Sequence, residues 1–282
     1  MISTTNLAFA YAGADSPAVG GISFEVAPGE IFGFLGPSGA GKSTTQKILI
    51  GLLDGYSGNV RVLGKDRAAW TAEDAARIGV SFESPTHFQK LTGLENLRYF
   101  AALYAQSTRD PQDMLETLGL GGDGAMRVGA YSKGMKNRLS VARALLHDPE
   151  LLFLDEPTAG LDPVNAQRVK EIIRAERDAG KTIFLATHDM TVADELCDRV
   201  AFIVDGTIAC IDAPGHLKLA HGQRTVRLDM DDAAGSTDFP LDDLGDNAEF
   251  LETIRSGRIR TIHSREATLA DVFIAVTGRG LE

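Results

Sequence analysis

Cysteine is scarce in this chain: Cys197 and Cys210 are the only two in 282 residues. Their spacing offers neither a metal-binding set nor a disulfide framework, which suits a reducing compartment and leaves apolar packing as their expected role. Long hydrophobic runs are missing as well. No uninterrupted apolar stretch approaches the ~18 residues that a membrane-spanning helix needs, so any work at a membrane requires another chain to cross it. The opening MISTTNLAFA has neither the basic start nor the long apolar segment of a secretory signal, and none is expected. Clusters of Lys and Arg are absent, and the formal net charge is −11; both weigh against nucleic acid as a partner, because phosphate contacts need clustered cations. There is no internal repeat and no heptad pattern. What remains, 44% hydrophobic and 24% charged residues, is the composition of an ordinary soluble globule, long enough for one large domain or two.

One stretch stands out against this background. Gly36-Pro37-Ser38-Gly39-Ala40-Gly41-Lys42-Ser43-Thr44 fits the phosphate-loop pattern G-x-x-x-x-G-K-[ST] at every specified position. The apolar run Ile31–Leu35 before it predicts a buried strand and Thr44–Leu49 after it a helix, the context this motif requires. Gly36, Gly39 and Gly41 let backbone N–H groups point at phosphate oxygens, and the helix N-terminus adds partial positive charge. Lys42 is expected to reach the β and γ phosphates, and Ser43 to place a hydroxyl on Mg²⁺. A nucleoside triphosphate with Mg²⁺ is therefore the expected ligand.

The rest of the chain reads as an α/β fold. Residues 3–11, ending in Tyr11, and 20–27 predict a hairpin-type pair of strands; Val60–Leu63 and Ile78–Phe82 predict two more. Leu94, Leu97, Ala101 and Tyr104 share a helical face, so a helix is expected from Thr92 to Ala105 within a more helical region at about 84–148, interrupted by the turn signal Arg109-Asp110-Pro111. A further helix runs from Ser132 to about His147, with Leu139, Ala142, Leu145 and Leu146 inward. Strands at Leu151–Leu154, Thr182–Ala186 and Val200–Val204 alternate with helices, which implies a mostly parallel sheet. Asp205-Gly206 predicts a hairpin into Thr207–Ile211. Composition changes near 221. Residues 1–220 are expected to form the main domain, with an N-terminal antiparallel part and the helical insertion. Residues 221–282 are expected to form a small α+β appendage. There Val226, Leu228 and Met230 alternate as in a strand, residues 229–245 make a solvated acidic stretch, and Leu269, Val272, Phe273 and Val276 form one stripe of a final helix.

The strand Leu151–Leu154 delivers Asp155 and Glu156 at its C-terminal end, where such sheets place ligand groups. Asp155 is placed to hold Mg²⁺, and Glu156 to accept a proton from a water attacking the γ phosphate. Tyr131-Ser132-Lys133-Gly134-Met135-Lys136 precedes this strand, Gly160-Leu161-Asp162 follows it, and His188 ends a later strand. In this order the motifs resemble those of the ATP-binding subunit of ATP-binding cassette transporters, over roughly residues 3–220. The resemblance implies a phosphate-loop ATPase that works as a head-to-tail pair, each ATP lying between the phosphate loop of one copy and the signature segment of the other. It implies that Tyr11 stacks on adenine, that Ser132 and Gly134 meet the partner's γ phosphate, that Asp162 links the two sites and that His188 contacts the γ phosphate.

Two departures from the family pattern matter. The signature reads YSKGM where LSGGQ is commonest, with Ser132 and Gly134 retained. Glu83 follows the strand Ile78–Phe82 where the family usually has a glutamine that meets Mg²⁺; a carboxylate also ligates Mg²⁺ but adds negative charge beside phosphates. The resemblance further implies a separate integral-membrane permease as partner, docked on the segment Glu83–Leu94, where Phe82, Phe88, Leu91 and Leu94 offer apolar surface. It also implies a second ATP-binding subunit, identical or not, and a peripheral place on the cytoplasmic face of the cell membrane. The YSKGMK form and the segment Ala267–Phe273 resemble those of exporters of drugs, antibiotics or lipid-like compounds. The alternatives are a soluble cassette ATPase without a transporter and a nucleotide-dependent regulatory module.

Overall fold

Alternating buried positions open the chain as two antiparallel strands, β1 (Ile2–Phe9) and β2 (Val19–Val26), with Ile2, Leu7, Ile22, Phe24 and Val26 inward. The computed structural model describes residues 1–84, 86–222, 225–231 and 235–280. β1 stops at Phe9, so Tyr11 lies past the strand rather than at its end; it begins a turn in which Ala14 N–H donates to Tyr11 O. β3 (Ile31–Leu35) is buried at every position, as a strand covered on both faces must be. Beyond the loop and α1 (Lys42–Leu49), β4 (Ser57–Val62) returns to pair with β1, and β5 (Lys65–Asp66) closes an antiparallel sheet of order β2-β1-β4-β5.

After α2 (Ala72–Ala75) and β6 (Ile78–Ser81) the chain becomes helical. α3 (Gly93–Ala101) starts at a reciprocal cap between Thr92 and Glu95. It ends at Ala101 and not at Ala105, because the N–H groups of Leu103 and Tyr104 turn back to Phe100 O and Ala101 O. Arg109-Asp110-Pro111 starts a helix as well as breaking one: Asp110 accepts from the N–H groups of Gln112 and Asp113, and Pro111 opens α4 (Pro111–Thr117). α5 (Lys133–Leu145), capped by Ser132, packs on α3, α4, β6 and β7 (Leu151–Asp155), so the helical insertion stays continuous with the sheet.

From there α6 (Pro163–Asp178), β8 (Thr182–Thr187), α7 (Met190–Leu196) and β9 (Arg199–Val204) alternate. The sheet order is β10-β9-β3-β8-β7-β6, parallel except for β10 (Thr207–Asp212), which turns back through Asp205-Gly206 with both residues at positive φ. Phe24 of β2 lies 5.4 Å from Phe34 of β3, and Phe34 lies 5.3 Å from Phe184 of β8. Each buried ring is worth about 2 kcal/mol, and together they hold the antiparallel sheet on the parallel one. Gly33 in β3 makes room for Cys197, since a Cβ there would lie 2.8 Å from the sulfur. Burial pushes the Cys197 thiol pKa up, so this cysteine is an apolar packing group.

The chain divides between Ala213 and Pro214. The second unit opens with α8 (Pro214–His221), and the change in composition near 221 coincides with the end of that helix. β11 (Thr225–Met230), β12 (Ser236–Pro240), α9 (Ala248–Arg255), β13 (Ile259–Arg265) and α10 (Leu269–Thr277) follow, with antiparallel strand order β12-β11-β13. Val226, Leu228, Phe239 and Phe250 form its core, and α8 packs against α10. Part of the acidic stretch is therefore a strand. Its Asp238 accepts a paired hydrogen bond from Arg227 at 2.9 and 3.1 Å; residues 232–234 lie outside the described residues. Among the described residues no helix is long and apolar enough to cross a membrane.

Candidate nucleotide and hydrolysis site

The loop Gly36–Gly41 leaves the C-terminal end of β3 and runs into α1. Two of its glycines are required sterically. A Cβ on Gly36 would collide with Ile203 O, and Gly41 sits at φ 107° with Ala18 O 2.4 Å from where its Cβ would be. Lys42 is buried and donates from Nζ to Gly36 O at 2.6 Å and Pro37 O at 3.0 Å. Burial lowers its pKa, against the opposing pull of Glu156, Asp155 and Glu83. These are acceptors that phosphate oxygens can replace. Pro37 and Ala40 shape the loop: Ala40 N–H donates to Pro37 O, and Ala40 O accepts from Gly206 N–H.

β7 ends at Asp155, whose Oδ2 accepts from Ser43 Oγ at 3.2 Å. Burial, and then the charge of Glu156, raise the Asp155 carboxyl to about 6. A carboxylate beside a hydroxyl, held back from ionising by burial and by a neighbouring acid, fits a divalent cation that prefers oxygen donors. Among the described residues no group of three His, Cys, Asp or Glu side chains forms a complete ligand cage.

Glu156 is fixed at every polar group. Its N–H donates to Ala186 O at 2.9 Å. Oε2 accepts from Thr187 Oγ1 at 2.8 Å, while Oε1 accepts from His188 N–H at 2.8 Å and faces His188 Nδ1 at 2.6 Å. Its backbone has φ 50°, the left-handed region that disfavours a non-glycine side chain by roughly 1–2 kcal/mol. Such a conformation persists only where the surroundings over-determine it.

Ser38, Gly39, Gly41, Lys42, Ser43, Thr44, Glu83, Asp155, Glu156 and His188 line one cleft of about 240 Å³. The structure thus brings the phosphate loop, both strand-end acids, the strand-end histidine and Glu83 to one place. Tyr11, 44% exposed, sets its hydroxyl 3.3 Å from Thr44 Oγ1. Ser132, Gly134 and Asp162 do not line this cleft. Ser132 accepts from Met135 N–H as the cap of α5, and Asp162 caps α6 by accepting from Val164 and Asn165 N–H. Gly134 lies so near the following loop that a Cβ would stand 3.1 Å from Leu161 Cδ2 and 3.2 Å from Gly160 O.

Two participants escape a reading of the sequence. Thr187 and Asn137 carry no local signal, because each acts through packing between distant segments. His87, buried and not among the residues that line the cleft, meets Lys136 O through Nε2 at 2.9 Å. A carbonyl only accepts, so Nε2 carries the proton, and burial pushes the His87 pKa down to about 4.

A parallel sheet with a phosphate loop after a central strand, acids at a neighbouring strand end and an antiparallel sheet alongside defines a nucleoside triphosphatase cassette. Residues 19–159 match the ABC transporter family, and residues 224–266 match the fluoroquinolone efflux ABC transporter C-terminal domain. A fluoroquinolones export ATP-binding protein of Mycobacterium tuberculosis is 55% identical over all of this chain and 94% of its own. A daunorubicin/doxorubicin resistance ATP-binding protein of Streptomyces peucetius is 38% identical over 82% of this chain and 71% of its own. A solved ATP-binding subunit of an ABC transporter superposes with a TM-score of 0.71 at 26% identity, over 79% of this chain and 93% of that one. The chain belongs to the ABC transporter family, as an ATP-binding subunit with ATPase activity.

Proposed function

We propose that this ATPase drives export of an amphipathic drug, such as a fluoroquinolone, through a permease on a separate chain. It does so as one of a pair of ATP-binding subunits on the cytoplasmic face of the membrane. The convergence of the phosphate loop, the Ser43–Asp155 pair and the Glu156–His188 pair on one cleft carries the reading. The drug class rests on the 55% identical relative named for fluoroquinolone export.

In this reading Lys42 exchanges the Gly36 and Pro37 carbonyls for phosphate oxygens of ATP, and the exposed Tyr11 ring covers adenine. Mg²⁺, when bound, neutralises phosphate charge, held by Ser43 and Asp155, with Glu83 in reach of the same cleft. Glu156, aimed by Thr187 and His188, takes a proton from the attacking water as the bond from the γ phosphorus to the ADP oxygen breaks. Ser132 and Gly134, which stand outside their own cleft, serve the γ phosphate held by the partner subunit, and Asp162 links the two sites.

The permease face is the apolar surface around the Glu83 loop and α3. Phe88 is 45% exposed with its ring 4.7 Å from that of Tyr99, and Phe100 lies beside both. Exposed aromatics grouped in this way mark a surface that another protein covers. Affinity co-purification from gently solubilised membranes tests the proposal. A multi-spanning protein recovered with stimulated ATP hydrolysis supports it, and fluoroquinolone uptake by inverted vesicles containing both chains identifies the cargo. Recovery of soluble partners alone, with an unchanged basal rate, favours the non-transport cassette reading.

A further inference from the structure

Asn137 stands in the second turn of α5, the helix that the signature segment opens, with 3% of its surface exposed. Its Nδ2 donates to Glu156 O at 3.3 Å and to Ala159 O at 3.1 Å. The amide orientation follows from these partners, because a flipped amide would press its oxygen against two carbonyls. Oδ1 is buried with no hydrogen-bond partner. That is a stability cost which an apolar side chain of the same shape would not carry. The amide therefore serves the loop it grips more than the fold.

The loop it grips contains Glu156 in its left-handed conformation. Of the groups that fix that residue, Thr187 and His188 hold the carboxylate from the end of β8, and Asn137 joins Ala159 N–H, at 3.1 Å, in holding the carbonyl. Gly134, one turn earlier on the same helix, packs on Gly160 and Leu161. The start of α5 thus touches the 156–161 loop at both of its ends.

We infer that Asn137 is a positioning residue that holds Glu156 in its hydrolysis-ready conformation and ties it to the signature helix. This rests on the reading of Glu156 as the group that takes the proton. Aim of a general base affects the rate step, while ATP binding at the phosphate loop is left alone.

The test compares Asn137→Leu, Glu156→Gln and the double variant in the purified full chain. ATP turnover, affinity for a fluorescent ATP analogue and thermal midpoint are measured for each. Asn137→Leu is expected to lower kcat on the order of tenfold, with KM for ATP within about twofold and the thermal midpoint preserved. In the Glu156→Gln background it is expected to cause no further loss. Asn137→Ala, which leaves a small void instead of filling the site, takes its place should the leucine variant not fold. An unchanged kcat, a loss confined to KM, or a loss that adds to that of Glu156→Gln overturns the inference. Normal hydrolysis by Glu156→Gln alone overturns instead the reading of Glu156 on which it rests.

Discussion

His188 Nδ1 lies 2.6 Å from Glu156 Oε1, and the backbone N–H of His188 donates to the same oxygen at 2.8 Å. An ionised carboxylate only accepts, so Nδ1 carries the proton and Nε2 is left for another partner. The histidine side chain is 55% exposed and the carboxylate is almost wholly buried. Both members line the cleft, the carboxylate buried in its floor and the histidine open to solvent. Replacing His188 by Ala is expected to lower kcat by roughly 10²-fold while ATP affinity stays within a few fold, because the ring orients the base and not the loop. Steady-state hydrolysis with parallel nucleotide titration checks this.

Lys42→Ala removes the ammonium that reaches from α1 across the loop. A hydrogen bond to a charged group is worth about 1.5–3 kcal/mol, so affinity for ATP is expected to fall on the order of ten- to a hundredfold. Calorimetric titration measures it, and native affinity would contradict the phosphate-loop assignment.

Asp155 makes the site sensitive to acid. Its carboxyl is raised from the usual 3.8 to about 6 by burial and by Glu156. A raised carboxyl favours the folded state below the unfolded value, and that contribution is lost as pH rises through about 6. The ligand-free protein is thus expected to be stabilised as pH falls from 7 to 5, while protons displace Mg²⁺ and weaken MgATP binding over the same window. Asp155→Asn is expected to raise the ligand-free thermal midpoint by on the order of 5 °C at pH 7.5 and to abolish the Mg²⁺-dependent part of ATP affinity. Thermal scans and titrations at pH 5.5 and 7.5 read both effects.

Gly36→Ala sets a methyl group against Ile203 O, on the neighbouring strand β9. Backbone cannot give way as a side-chain tip can, and a loss of about 3 kcal/mol is expected in denaturant unfolding.

The phosphate loop and the strand-end acids were legible in the sequence for a physical reason. Binding a triphosphate dictates glycines, a lysine and a hydroxyl at fixed local spacing, and buried parallel strands write continuous apolar runs such as Ile31–Leu35. Asp110 and Pro111 show a local signal with two readings, since the residues that break one helix also begin the next. Thr187 and Asn137 left no trace, because each meets a segment far away in the chain and its role exists only once α5, β7 and β8 are packed. β12 was hidden in the acidic stretch because its carboxylates find cross-strand partners, Asp238 with Arg227, that no local pattern announces.

The central claim is that Glu156 performs the hydrolytic step at a site that binds ATP without it. Phosphate release and ATP retention, followed together in Glu156→Gln and in the native chain with Mg²⁺, test that claim most directly. The variant is expected to hold ATP at least as tightly as the native chain and accumulate as a nucleotide-bound dimer, while releasing phosphate on the order of 10²- to 10³-fold more slowly. Phosphate release at the native rate would contradict the account.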